Sequence, residues 1–370
     1  MPMNPLVQLG QLGQSPWYDF ITRDLVASGE LKRLIAERGL RGMTSNPTIF
    51  EKAIAGSDLY DADIRRLSAE GRNPAEIFES LAVADVEAAC DVFRPLYDAT
   101  GGTDGLVSLE VSPTLATDTS GTVAEAERLW RTVARPNVMI KIPGTIAGLP
   151  AISRCITNGI NVNVTLLFSV ERHAEVMTAY IEGLERRITR GQAVDHVASV
   201  ASFFVSRVDT RIDPMLDQMG AEAQGLRSTA AIANACAAYA AFEAVFSGVR
   251  WERLVRHGAR VQRPLWASTS TKDPRLPDVY YVEALIGADT VNTLPPDTFK
   301  AYFDHGNPEL RIQQGVAVAS GRLAALARAG IDLGAVARDL EADGVAKFAA
   351  SYESLLAGIE AKAEALAVGS

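Results

Sequence analysis

Along the chain, short apolar runs alternate with longer stretches in which apolar residues recur every three or four positions. The short runs are "SPWYDFI", "LRGMTSN", "GLVSLEVS", "NVMIKIP", "INVNVTLLF", "ASVASFFV", "RPLWASTS" and "ADTVNTLP". Between them lie helical patterns such as "LVASGELKRLIAERG", "AEIFESLAVADVEAACDVFRPLYDA", "TVAEAERLWRTVA" and "SVERHAEVMTAYIEGLERRI". Eight strand candidates separated by helices read as parallel βα units, and eight strands close a barrel. The expected fold is a single α/β domain, a (β/α)8 TIM barrel over about 14–305 with a helical extension over about 306–370. An open doubly wound sheet is the alternative, but no glycine-rich dinucleotide fingerprint follows any strand. The alanine-rich segment 227–248 reads as a long buried helix or helical insertion before the seventh strand. The terminal helices are expected on the barrel exterior or across a mouth.

Within the strands the pattern changes to a period of two, which separates the faces. Val107, Leu109 and Val111 oppose Ser108, Glu110 and Ser112. Val162, Val164 and Leu166 oppose Asn161, Asn163 and Thr165. Ile140 and Ile142 oppose Met139 and Lys141; Val200, Ser202 and Phe204 share a face, as do Ser268 and Ser270. Strands covered on both sides should be nearly continuous in apolar residues. Here one face is polar, so the apolar face meets the helices and the polar face points into the barrel. Half-exposed antiparallel strands would also alternate, but intervening helices fit them poorly.

Composition narrows the function classes. The 370 residues are 48% hydrophobic and 22% charged, the profile of a compact folded protein. A net charge of -9 argues against a nucleic-acid or anionic-membrane surface. Cys90, Cys155 and Cys236 are scattered and odd in number, and His173, His196, His257 and His305 stand in no ligand motif, so neither a disulfide framework nor a metal is expected. The N-terminus has no basic region followed by an apolar core, and no apolar run reaches the roughly 18 residues of a membrane helix. The expected setting is the cytoplasm. The sequence does not distinguish a monomer from a homodimer.

Lys141 stands out against this pattern. Burying an ammonium is costly unless it is paired, yet this lysine falls on the inward face beside Glu110, asparagines and hydroxyls. Burial disfavours the charged form, and the neutral amine is a nucleophile that condenses with carbonyls. A structural salt bridge with Glu110 is the simpler alternative.

At this point the chain resembles the transaldolase family, Schiff-base enzymes of the class I aldolase type. "TSNPTIF" (Thr44 to Phe50) resembles its T-[ST]-N-P signature, and "VMIKIPGTIAGL" the segment around its reactive lysine. "VSLEVSPTLA" is similar to the segment of its catalytic glutamate, and "GINVNVTLLFS" and "SFFVSRVD" to two further strands of its site. The matches run in order from Asp19 to about Pro295 on consecutive strand candidates. The resemblance implies a transferase of the pentose phosphate pathway that moves a dihydroxyacetone unit between sugar phosphates, with no cofactor beyond the lysine itself.

Carried over by position, Lys141 is the expected nucleophile and Asp19 the general acid/base at the C4 hydroxyl. Glu110 and Thr165 match the pair that holds a water during dehydration and hydrolysis. Asn46 and Asn163 match the amides on the dihydroxyacetone hydroxyls, with Ser202, Thr44 and Phe204 as pocket neighbours. Arg207 matches the phosphate-binding arginine, where a guanidinium fork suits a terminal phosphate. Four of them have a plainer reading besides: Asp19 a cap or turn residue, Thr165 a β-branched strand residue, Asn46 a helix cap before Pro47, Arg207 a surface partner of Asp209 or Asp213. The family often has a second phosphate-binding arginine shortly after the serine that Ser268 matches. Here "WASTSTKD" offers only Lys272. The family's lyases, fructose-6-phosphate aldolases, typically have Gln and Tyr where this chain has Glu110 and Phe204. A non-catalytic sugar-phosphate-binding barrel is the remaining alternative.

Overall fold

In the computed structural model, which describes residues 4–368, the eight expected strands are all present. They are β1 (Gln14–Asp19), β2 (Gly42–Thr44), β3 (Leu106–Glu110), β4 (Val138–Pro143), β5 (Val162–Leu167), β6 (Ser199–Phe204), β7 (Arg263–Ala267) and β8 (Thr290–Leu294). They pair in parallel in chain order, and β1 closes on β8, giving a (β/α)8 barrel. Register places Glu110 beside Lys141 and Lys141 beside Asn163, so polar positions of three adjacent strands meet in one layer.

The apolar faces pack outward as the alternation requires. Val107, Ile140, Ile142, Val162 and Val164 are wholly buried. The surrounding helices begin at strong caps: Asn73 and Glu76 form a reciprocal capping box with Pro74 at the first position, and Ser169 caps Val170–Thr189. Three local expectations change. The single helix expected over 25–39 is two, Arg23–Ala27 and Glu30–Arg38, because Gly29 takes φ 78° and stops the first turn. β7 ends at Ala267 since Ser268 adopts φ 56°, leaving Ser268 and Ser270 in the following loop. The alternation in β5 stops at Thr165: Leu166 has φ 62° and the register shifts between Val164 and Leu167.

The alanine-rich segment is the buried helix Ala230–Val245, packed between Val170–Thr189 and Ile312–Arg328. Small residues permit the approach; a Cβ at Gly315 would lie 2.4 Å from Cys236 Sγ. The final helix, Leu333–Val368, crosses the barrel mouth at the strand C-termini. Thr48 Oγ1 donates to Ser351 Oγ (2.9 Å), Ser354 Oγ donates to Glu51 (2.6 Å), and Lys362 donates to the Ser57 carbonyl (2.7 Å). Gly344 admits Leu166 beneath the helix, where a Cβ would meet it at 2.9 Å. At the opposite end, Arg263 donates to Ser15 Oγ (2.8 Å) and the Thr103 carbonyl (2.6 Å), and Arg41 pairs with Asp104 (3.0 Å). That buried network plugs the bottom of the barrel. Among the described residues, no single helix is long and apolar enough to cross a membrane.

Candidate active site

The C-terminal ends of the strands converge on a cavity of about 270 Å³. Its wall includes Asp19 from β1, Thr44 from β2, Lys141 from β4, Thr165 from β5, Ser202 and Phe204 from β6, and Thr293 from β8. Asn46, Arg207, Ser268 and Lys272 join from the segments that follow the strands, and Phe348 from the C-terminal helix.

Lys141 is 5% exposed. Its Nζ donates to Glu110 Oε2 at 3.0 Å and to the Ser45 carbonyl at 3.1 Å, and lies 5.5 Å from the Phe348 ring centre. The salt bridge read as the simple alternative therefore exists, but it sits on the wall of a cavity. Glu110 Oε1 and Thr165 Oγ1 are both buried without a protein partner. Thr165 borders the cavity, whereas Glu110 borders the space next to it.

Asp19 accepts from Thr44 Oγ1 at 2.7 Å, and Thr44 shares a second bond with Thr293 Oγ1 at 2.6 Å. Asp19 is not a helix cap: Thr22 fills that place for the next helix. Burial pushes the Asp19 and Glu110 carboxyls above their ordinary range, and the Lys141 charge draws both part of the way back. Two carboxyls that hold protons more readily than usual thus flank one amine.

Asn46 does cap the helix Pro47–Ala55, Oδ1 accepting from Ile49 N at 3.0 Å, and it also lines the cavity. Arg207 is half-buried with its guanidinium 5.0 Å from the Phe204 ring centre. The carboxylates considered as its surface partners are occupied elsewhere. Asp209 takes Ala231 N and the Tyr281 hydroxyl, and Asp213 takes Ser228. Lys272 is exposed at the rim, and Ser268 Oγ bonds Ser206 Oγ at 3.0 Å. Two predicted residues, Glu110 and Asn163, do not line this cavity. Asn163 is fully buried and spends Nδ2 on Ser108 Oγ (2.9 Å) and Oδ1 on Ser202 Oγ (2.7 Å).

Sequence reasoning missed Thr48, Ile49, Lys52, Thr293 and Phe348. The first three share one helical face below Asn46, and their spacing was a usable signal once Asn46 was placed. Phe348 carried none, because only the path of the last helix brings it to Lys141.

The site can therefore present an amine, two proton-holding carboxyls and cations for an anionic group. Comparison with known proteins agrees on a family. Residues 16–359 match the model described as Transaldolase/Fructose-6-phosphate aldolase. The chain is 50% identical over 357 residues to "Transaldolase" of Acidothermus cellulolyticus, covering 96% of each chain. It is 46% identical over 378 residues to "Transaldolase 2" of a Nostoc species and 47% identical over 368 residues to "Transaldolase" of Mycolicibacterium smegmatis, covering 99% of each chain in both cases. With this match across nearly its whole length, the chain belongs to the transaldolase/fructose-6-phosphate aldolase family.

Proposed function

We propose that this protein transfers a dihydroxyacetone unit between sugar phosphates, as a transaldolase, through a Schiff base on Lys141. The observation that carries the reading is a lysine amine on a cavity wall, 3.0 Å from a buried carboxyl whose other oxygen has no protein partner. Glu110 takes a proton from the Lys141 ammonium, and the freed amine adds to C2 of sedoheptulose 7-phosphate or fructose 6-phosphate. The carbinolamine then loses its hydroxyl as water, with Glu110 as proton donor and Thr165 as hydrogen-bond partner.

The iminium is an electron sink. Asp19 removes the C4 hydroxyl proton, the C3–C4 bond breaks, and the aldose leaves with its phosphate. The enamine adds to an acceptor such as glyceraldehyde 3-phosphate or erythrose 4-phosphate, and hydrolysis frees Lys141. The iminium does the polarising, so the reading asks for no metal or organic cofactor. Arg207 binds the terminal phosphate, with Lys272 and Lys52 as supplementary cations. Asn46 and Ser202 hold the dihydroxyacetone hydroxyls, and Asn163 fixes Ser202 from behind. Thr44 orients Asp19, and Phe204 backs the arginine. The substrates are soluble metabolites, and a cytoplasmic setting suits them.

Incubation with fructose 6-phosphate and erythrose 4-phosphate tests the reading directly. Sedoheptulose 7-phosphate and glyceraldehyde 3-phosphate are the expected products. Stoichiometric release of free dihydroxyacetone without acceptor would instead make the protein a lyase. Borohydride is expected to trap a fructose 6-phosphate adduct on the wild type and none on Lys141→Ala.

A further inference from the structure

Behind Glu110 lies a second, smaller cavity of about 40 Å³. Glu110 contributes to this wall and not to that of the substrate cavity, while Asn46 contributes to both. The volume suits about two to three waters. Its lining is right for them: Glu110 stands at the inner end, with Glu125, Ser112 and Tyr352 toward the outside. The Glu110 side chain is 4% exposed. The outer residues Ser112, Glu125 and Tyr352 are all half-exposed. Glu125 is held in place by the Ser112 backbone N–H, which donates to it at 2.7 Å.

The proposed chemistry needs such a passage. The first half-reaction expels one water as the carbinolamine becomes the iminium, and the second takes one water up as the new iminium is hydrolysed. A ketose phosphate fills the substrate cavity meanwhile, and the C-terminal helix lies over its mouth. We propose that the cavity between Glu110 and Glu125 is a dedicated water port, through which the water of imine formation leaves and the water of imine hydrolysis enters. In dehydration the C2–O bond breaks, the protonated Glu110 gives its proton to the departing hydroxyl, and the water formed moves outward past Ser112 and Tyr352. In hydrolysis a water from the port adds to C2, and the Glu110 carboxylate takes its proton. This inference rests on the transaldolase reading and adds a route for its water.

Ala82 lines the port, is 1% exposed and does not touch the substrate cavity. Ala82→Val in the full-length protein fills the port. Rapid mixing with fructose 6-phosphate and a borohydride quench then follows imine formation, and release of glyceraldehyde 3-phosphate from the formed imine follows carbon–carbon cleavage. Imine formation is expected to slow at least about tenfold, with cleavage and half-saturation unchanged within about twofold. Unchanged imine formation in the folded variant overturns the port, and so does equal slowing of both steps, which means a distorted site. Should Ala82→Val fail to fold, Ser112→Val narrows the half-exposed outer end and must give the same split. Failure of the underlying reading looks different: the wild type itself yields no borohydride adduct.

Discussion

Lys141 Nζ and Glu110 Oε2 face each other at 3.0 Å because register sets their two positions side by side on β3 and β4. One short parallel ladder thus supplies both the amine and the carboxyl that must take and return its proton. Glu110→Gln keeps the shape and an acceptor for Lys141 but cannot move a proton. The expected result is a fall in kcat of roughly 10²- to 10⁴-fold, with slowed but detectable borohydride trapping. Steady-state kinetics beside a trapping time course check it; activity near wild type would remove Glu110 from proton transfer.

Asp19 gives a prediction about stability and pH. Its carboxyl is held above the ordinary range chiefly by burial, and that direction already includes the attraction of Lys141 and Arg207. Below about pH 4 the group is protonated in the folded and unfolded chains alike. As pH rises through the folded value, ionisation costs the folded state more, and the stability present at low pH is lost. Asp19→Asn carries no charge to bury. It is expected to melt higher than the wild type at neutral pH, with the difference vanishing as pH falls below about 4, while activity is lost. Calorimetric melting temperatures across that range decide it, and a variant less stable at neutral pH contradicts the assignment.

Arg207 and Lys272 are both cations on the cavity wall, but they are not equivalent. The half-buried guanidinium is backed by Phe204, whereas the ammonium is exposed and screened. Charge-assisted bonds contribute about 1.5–3 kcal/mol, so Arg207→Ala should raise KM for phosphorylated sugars roughly 10- to 100-fold and hardly alter that for free dihydroxyacetone. Lys272→Ala should cost less than about 1 kcal/mol and fade at high salt. An equal effect of Arg207→Ala on both substrates would take that arginine out of the phosphate site.

How much of this was readable beforehand follows the physics of each element. Strands that bury one face announce themselves by alternation, so all eight appeared and Lys141 fell inward with Glu110. The reading failed where the backbone leaves the regular regions: at Gly29, Leu166 and Ser268, all with positive φ. The Leu166 side chain also packs beneath Gly344, a residue far along the chain. Asn163 carries the same lesson for chemistry. Its place on the polar face was visible, but not that Ser108 and Ser202 engage its amide.

Phe348 is the contribution to the site that sequence could not supply, and it bears on what separates a transferase from a lyase. It is 6% exposed, reaches the cavity from the C-terminal helix, and stands 5.5 Å from the Lys141 amine. An enamine waiting for an acceptor aldehyde is lost if water or a proton donor reaches it first, and an apolar ring over the reacting nitrogen excludes both. Phe348→Ala removes that cover. The expected outcome is free dihydroxyacetone released from fructose 6-phosphate without acceptor, at a rate at least about tenfold above wild type. Truncating a nearly buried phenylalanine also costs stability, about 3–5 kcal/mol where the site is closed. Phe348→Leu, milder in volume and still apolar, should therefore retain both the fold and most of the protection. Measuring acceptor-free release for the two variants separates the ideas: equal, wild-type-like release from both means the ring only packs, whereas release from Phe348→Ala alone means it guards the enamine.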